Sequence, residues 1–183
     1  MNKINLVNGV RFAILLTGLA FGTAAAAQSG SKDRKLISDA AEAKADFIHT
    51  DGPINGLFGS SYGYVILPNV GKGAIGIGGA AGNGIVYERG RAIGRTKMKQ
   101  VSVGFQFGGQ AYREVIFFET KAALDKFKQN KFEFSAQVSA VAATAGASAN
   151  ATYKGGVLIF TQQKGGLMYE ASVAGQKFDY SSF

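Results

Sequence analysis

The sequence of 183 residues predicts an α+β domain with an antiparallel, β-rich sheet or barrel-like core. Three observations lead to this fold class. A long amphipathic segment with helical spacing comes first, and a second, shorter helical segment lies further along the chain. Short segments of β-like sequence, separated by glycine turns, make up most of the rest. The chain has 26 glycines and only 2 prolines, which favours closely packed strands over extended linkers.

Residues 1–27 are expected to be a secretory signal peptide. Lys3 and Arg11 form a positively charged N-terminal region. An apolar run too short to span a bilayer follows, and an A-x-A cleavage pattern ends at Ala27. The alternative is a retained N-terminal membrane anchor. Cleavage would leave a single domain of residues 28–183 in a secreted, periplasmic or cell-envelope protein of a bacterium.

An amphipathic helix is predicted over residues 32–48. Its apolar stripe has spacings of four, three and four residues, and it consists of Leu36, Ala40, Ala43 and Phe47. Asp51-Gly52-Pro53 is expected to end the helix. The stripe could pack on the sheet or dip into a membrane, and its high alanine content favours packing.

The strands predicted next are short. After a Gly/Ser loop at 55–61, strands are predicted at residues 62–67 (ended by Pro68), 85–87, 97–107, 115–118 and 132–140, with a closing hairpin formed by 157–161 and 167–173. The stretch 71–84 is glycine-rich, and Gly71–Gly76, which matches G-x-G-x-x-G by its letters, is interpreted as a turn. Thr120 is expected to cap a second helix over residues 121–129.

The composition excludes several kinds of chemistry. A chain without cysteine has no disulfide, thiolate metal site or cysteine nucleophile, and a single histidine excludes a multi-histidine zinc site. His49 is the only histidine base, and no G-x-S-x-G motif accompanies it. A hydrolase is therefore the weakest alternative. Acids such as Glu114, beside Arg113, are interpreted as solvated or paired surface groups. No catalytic residue, metal or cofactor is predicted.

Positive charge is the one compositional sign of a partner. The chain carries 20 Lys and Arg against 12 Asp and Glu, a formal charge of +8. Such a domain favours an anionic lipid or membrane surface, and a secreted protein rarely meets nucleic acid. The candidate headgroup-binding residues are Lys32, Arg34, Lys35, Lys44, Arg89, Arg91, Arg95, Lys97 and Lys99. The alternative is a structural or interaction protein of the cell envelope, with an envelope protein partner and incidental charge.

Several segments, in their order, resemble the SYLF domain family. They are Tyr64–Val70 followed by Ile75–Gly79, Val103–Gln110, Glu114–Phe118, the alanine-rich stretch 136–151 and Lys164–Val173. The likeness covers residues 32–178. It implies a non-enzymatic, lipid-binding module that recognises anionic phospholipid or phosphoinositide-type headgroups. Fungal members also bind actin filaments, so actin binding is implied by the resemblance alone.

Overall fold

A computed structural model of the chain describes residues 30–72, 79–101, 111–129, 132–134, 140–164 and 173–183. The chain divides into two compact units, Met1–Lys35 and Leu36–Phe183. Within the first unit, residues 30–35 are helical. All the described β-structure belongs to the second unit.

The described elements alternate between helices and a dominant set of strands, which confirms the α+β class. In chain order they are α1 (residues 30–50), α2 (Ile54–Ser60), β1 (Gly63–Lys72), β2 (Gly79–Glu88), β3 (Arg91–Val101), β4 (Ala111–Phe118), α3 (Lys121–Lys128), β5 (Phe132–Glu133), β6 (Val141–Ala142), a 3-10 turn (Ala147–Asn150), β7 (Val157–Gln163) and β8 (Gln176–Ser182).

The eight strands form one sheet in the order β5-β8-β3-β2-β1-β4-β7-β6. Neighbours are antiparallel except for the parallel pair β6 and β7. The side chains of Gln176 on β8 and Glu114 on β4 are hydrogen-bonded to each other, although three strands lie between β8 and β4 in the sheet. The sheet is therefore curled. The curl gives the sheet an inner and an outer face.

Each face carries its own apolar cluster, since side chains alternate along a strand. The inner cluster includes Val65, Ile116 and Phe118, with Leu124 and Phe127 of α3 packed against them. The outer cluster joins sheet residues to the two N-terminal helices; its members include Tyr64, Ile66, Ile85, Phe117, Ala40, Ala43, Phe47, Ile54 and Phe58. The apolar stripe of α1 therefore packs on the sheet from residue 36 onward.

Both predicted helices are present, and the cap of the second is confirmed. The backbone N–H of Ala123 donates to Oγ1 of Thr120 at 3.2 Å, so the threonine satisfies a donor at the start of α3. The predicted loop at 55–61 is wrong, because those residues belong largely to α2. Ile54 and Phe58 are buried one helical turn apart, and this apolar contact with the sheet outweighs the local glycines.

The predicted end of the first strand at Pro68 is also wrong. β1 continues to Lys72, and its register with β2 shifts between Ile66 and Asn69. A proline cannot donate a ladder hydrogen bond, and a bulge is one of the places in a sheet where it is tolerated.

Several glycines before residue 85 belong to strands, and the turn predicted at Gly71–Gly76 is wrong for its first two residues, which end β1. β2 begins at Gly79, and a Cβ atom at Gly84 would lie 2.7 Å from the carbonyl oxygen of Ile66. Glycine at this position lets β1 and β2 approach each other. Residues 73–78, with most of the G-x-G-x-x-G match, lie outside the described residues.

The C-terminal strand was not predicted. β8 pairs with β3 through a register that includes Met98 with Phe178. The predicted partner segment 167–173 lies outside the described residues except for Val173, which is buried. Parts of two further predicted strands, at 102–107 and 135–139, also lie outside them.

Candidate functional site

Three of the predicted site residues lie side by side along β3. Arg95, Lys97 and Lys99 alternate along the strand and therefore project from one face of the sheet. This is the outer face, because Arg95 lies opposite Ile85 of the outer cluster. Lys97 and Lys99 are exposed, whereas Arg95 is half-buried.

The neighbouring strands shape the surface around these cations. On β8, Lys177 lies opposite Lys99 and Asp179 lies opposite Lys97. On β2 the facing residues are Ala81 and Asn83, whose side chains are short. Arg95, Lys97, Lys99 and Lys177 are here called the β3 stripe. The stripe combines four cations on the outer face of the curled sheet with Asp179 between them.

The stripe lies beside the part of the outer face that the helices cover. α1 and α2 pack over β1, β4 and β7, where the sheet contributes residues such as Tyr64 and Phe160. Further across the same face, Asn83 and Lys97 are exposed. Among the described residues, the helices thus leave open the part of this face that carries Asn83, Lys97 and Lys99.

Arg89 and Arg91 lie apart from the stripe, at the hairpin that joins β2 to β3. Arg89 and Gly90 form the two-residue turn with φ values of 48° and 77°, the left-handed conformation that a tight hairpin requires. Lys99 lies eight positions after Arg91, which is about 26 Å of strand at roughly 3.3 Å per residue. Residues 89–99, contiguous in sequence, therefore form two surfaces.

The hairpin is anchored to α3 through Tyr62 and Glu88. The guanidinium of Arg89 lies 5.1 Å from the centre of the Tyr62 ring, and the Tyr62 hydroxyl donates to Glu88 at 2.8 Å. That hydrogen bond, assisted by Lys128, holds the pKa of Glu88 below its usual range. Lys128 also lies 2.9 Å from Asp125. Glu88, Arg89, Arg91 and Ile93 line an open groove.

Lys44 is half-buried, unlike the exposed Arg89, and its ammonium group is turned toward two aromatic rings. Its Nζ lies 4.6 Å from the ring centre of Phe58 and 5.4 Å from that of Tyr64. Burial lowers its pKa. The cation stabilises the junction of α1, α2 and β1.

Lys32, Arg34 and Lys35 are exposed on the helical residues of the first unit. His49 is exposed near the end of α1. No group of three His, Cys, Asp or Glu side chains that could hold a metal ion occurs among the described residues. In the same part of the chain, no helix has the length and apolarity needed to cross a membrane.

A second polar site, missed by sequence reasoning, lies inside the curled sheet. It comprises Tyr112, Glu114, Thr161, Gln163 and Gln176, here called the inner polar cluster. Glu114 and Tyr112 on β4 face Thr161 and Gln163 on β7 in register. Gln176 of β8 reaches both β4 residues, with Nε2 2.8 Å from Oε2 of Glu114 and 3.3 Å from the Tyr112 hydroxyl.

Glu114 corrects the interpretation of that acid as a solvated or paired surface group. Its side chain has 0% exposure, and burial raises its pKa to about 7 while the hydrogen bond from Gln176 opposes the shift. Arg113, its neighbour in sequence, projects to the other face and pairs with Asp46. Alternation with Ile116 and Phe118 was the signal that could have placed Glu114 inside.

The comparison with known families bears on the C-terminal half of the chain. Residues 99–181 match the family model described as "Ysc84: Las17-binding protein actin regulator". This segment belongs to the SYLF family. The predicted resemblance is thereby confirmed, and SYLF domains are binding domains rather than enzymes.

One curated SYLF relative extends the comparison. Beta cell expansion factor A of Aeromonas veronii is 32% identical over 124 residues, which are 67% of this chain and 47% of that protein. The match thus spans about half the length of the relative. Within this chain, the SYLF segment includes Lys99, Lys177 and the whole inner polar cluster, whereas Arg89, Arg91, Arg95 and Lys97 precede it.

Proposed function

We propose that this chain is a secreted, non-enzymatic module that binds anionic lipid surfaces through the β3 stripe. The observation that supports the proposal most directly is the set of four cations on the open side of the outer face. Membership of a family of binding domains agrees with it. Secretion follows from the expected signal peptide, with a periplasmic or cell-envelope location.

The geometry of the stripe suits a membrane surface better than a deep pocket. Lys97 and Lys99 are about 7 Å apart along the strand, at roughly 3.3 Å per residue, and the short side chains of Ala81 and Asn83 leave them unshielded. Each cation near an anionic surface contributes about 1 kcal/mol. Four such cations give weak, reversible binding.

Local acids limit the strength of this attraction. Lys177 forms an ion pair of 3.3 Å with Glu133, and Asp179 lies opposite Lys97. We therefore assign the main contact to Lys97 and Lys99, with Arg95 beside them. Phosphate-bearing headgroups, of the phosphoinositide type or of simpler phospholipids, would offer the charge that these side chains require.

The hairpin surface is a secondary contact in this proposal, since Arg89 and Arg91 are exposed there. Lys44 is left out because its ammonium group lies against two aromatic rings. Lys32, Arg34 and Lys35 remain candidates on the first unit. Actin is not part of the proposal, because the expected secretion would separate the chain from it.

Co-sedimentation with lipid vesicles tests the proposal. The purified protein is mixed with neutral phosphatidylcholine vesicles, or with vesicles that also contain an anionic phospholipid, at low and at high salt. We expect binding to anionic vesicles alone, weakened as salt shortens the Debye length to about 8 Å and below. Absence of binding to both kinds would contradict the proposal and favour the envelope interaction protein instead.

A further inference from the structure

The inner polar cluster has a feature that lipid binding does not use. Glu114 is buried on β4, and within the described part of the chain the donor to its carboxyl is the amide of Gln176 on β8. Because β3, β2 and β1 lie between β8 and β4 in the sheet, this hydrogen bond spans the inside of the curl. It acts as a brace between two strands that are not neighbours.

The donors and acceptors of the cluster do not balance. Four buried oxygen atoms have no hydrogen-bond partner among the described residues: Oε1 of Glu114, Oγ1 of Thr161, Oε1 of Gln163 and Oε1 of Gln176. When Glu114 is ionised, three of these atoms, the carboxyl oxygen and the two amide oxygens, can only accept, whereas the Thr161 hydroxyl can also donate. An ionised Glu114 would therefore place a charge beside unpartnered acceptors in a buried site, which is costly.

A bound proton corrects part of this imbalance. Neutral Glu114 has an O–H that can donate, so the proton removes the buried charge and supplies one more donor to a cluster with several unpartnered oxygen atoms. Gln176 can keep its contact with the other carboxyl oxygen. We propose that Glu114 is a proton-binding site that holds β8 against β4 when it is neutral and loosens this brace when it ionises.

The described side chains on the inner face around Glu114 include no compensating charge. On the inner face, β1 contributes Leu67 and Val70, β7 contributes Thr161 and Gln163, β8 contributes Gln176, and β3 contributes Gln100. Tyr112 is the other titratable group of the cluster, and burial together with the charge of Glu114 raises its pKa. None of these described neighbours offers a cation, so neutralisation by a proton is the available route.

The expected size of the effect follows from the two ionisation equilibria. Glu114 has a pKa of about 7 when buried and 4.5 when exposed to solvent. If opening of the brace exposes the carboxyl, the opening equilibrium increases about tenfold between pH 6 and pH 8. Over the same interval, the opening equilibrium of a variant without this carboxyl should show no tenfold change with pH.

Hydrogen–deuterium exchange of the purified protein tests the proposal. After correction for the intrinsic effect of pH on exchange, protection of the amides of Gln176–Ser182 should fall about tenfold from pH 6 to pH 8. In Glu114→Gln it should change less than twofold, whereas the exposed-acid control Glu119→Gln should behave as the parent. Equal protection at both pH values in the parent, or a pH dependence that persists in Glu114→Gln, would overturn the proposal.

A second measurement covers the case in which Glu114→Gln does not fold. The infrared carbonyl band of a buried, neutral carboxylic acid can be titrated in the parent and in Gln176→Met. Loss of the donor that favours the ionised form should move the midpoint to higher pH. An unchanged midpoint, or loss of the band by pH 5 in the parent, would show that Glu114 is not the proton-binding site.

Discussion

The guanidinium of Arg113 lies 2.6 Å from the carboxylate of Asp46 and joins β4 to α1 on the outer face. Arg113 also donates to Gln162 of β7 at 3.1 Å, and Gln162 in turn donates to Thr50 at 2.6 Å. Polar contacts therefore hold the C-terminal half of α1 over β4 and β7. This position leaves the β3 stripe uncovered by the helix.

Arg113→Ala should lower the free energy of unfolding by about 1–2 kcal/mol, because it breaks a partly buried, charge-assisted hydrogen bond and leaves Asp46 without its partner. Urea denaturation measures the change. The charge-matched control Lys164→Ala removes an exposed cation and should change stability by less than about 0.5 kcal/mol. Equal losses in the two variants would argue against an anchoring role for the pair.

Phe47→Ala should destabilise the protein by about 3–5 kcal/mol, since this ring of α1 has 0% exposure and packs against the sheet. Thermal or chemical unfolding provides the measurement. Any variant that remains folded should bind anionic vesicles as the parent does, because Phe47 points at the core. Full stability combined with lost vesicle binding would instead place the apolar stripe of α1 in the membrane.

Gly84→Ala should lower stability by about 1–3 kcal/mol, because the new methyl group would lie 2.7 Å from the carbonyl oxygen of Ile66. Gly56→Ala is its matched control in α2, where a Cβ atom meets nothing within 4 Å. Alanine there should be neutral or stabilising by up to about 1 kcal/mol. Differential scanning calorimetry of both variants would detect the contrast. A neutral Gly84→Ala would mean that β1 and β2 can separate without cost.

Glu114→Gln should change how stability depends on pH. The carboxyl has a pKa of about 7 in the folded chain against 4.5 as the ordinary value, so below pH 4.5 both states hold the proton. As pH rises from 4.5 to 7, the unfolded chain releases it first and the folded state loses stability. The total loss is on the order of 3 kcal/mol at 1.36 kcal/mol per pKa unit.

The variant should remove this decline from a series of urea denaturations between pH 4 and pH 8. Glu119→Gln, which alters an exposed acid at the end of β4, should retain it. A parent protein whose stability rises over the same interval would contradict the assigned direction of the pKa shift.

Lys97→Glu combined with Lys99→Glu should abolish binding to anionic vesicles at low salt. The matched control, Lys154→Glu with Lys164→Glu, makes the same change in net charge at exposed positions outside the stripe. It should retain most of the binding, because attraction to a surface falls off within a Debye length. Equal loss in both pairs would indicate a response to net charge, without a defined contact surface.

The periodic apolar patterns predicted much of the fold. Ala40, Ala43 and Phe47 lie on the buried face of α1 as their spacing indicates, and Thr120 caps α3 as expected. The errors arose where long-range packing overrides local preference. Ile54 and Phe58 draw a glycine-containing segment into a helix against the sheet.

The site was harder to predict than the core. Proximity in sequence grouped Arg89 with Lys99, but an extended strand carries them apart. Charge alone made Glu114 look like a partner of Arg113, whereas the two project from opposite faces of β4. The contact between Glu114 and Gln176 depends on the curl of the whole sheet, which no local pattern encodes.

The position of β8 has a consequence for how the chain matures. β8 pairs with β3, and Thr96 donates to the carbonyl of Asp179, 83 residues later. Until residues 176–182 have been synthesised, β3 presents an unpaired edge that other chains can join. Shortening the C-terminus would make that exposure permanent, so truncated forms should aggregate even though every earlier strand is intact. Among the described strands, β8 is therefore the one that completes the protection of the β3 edge.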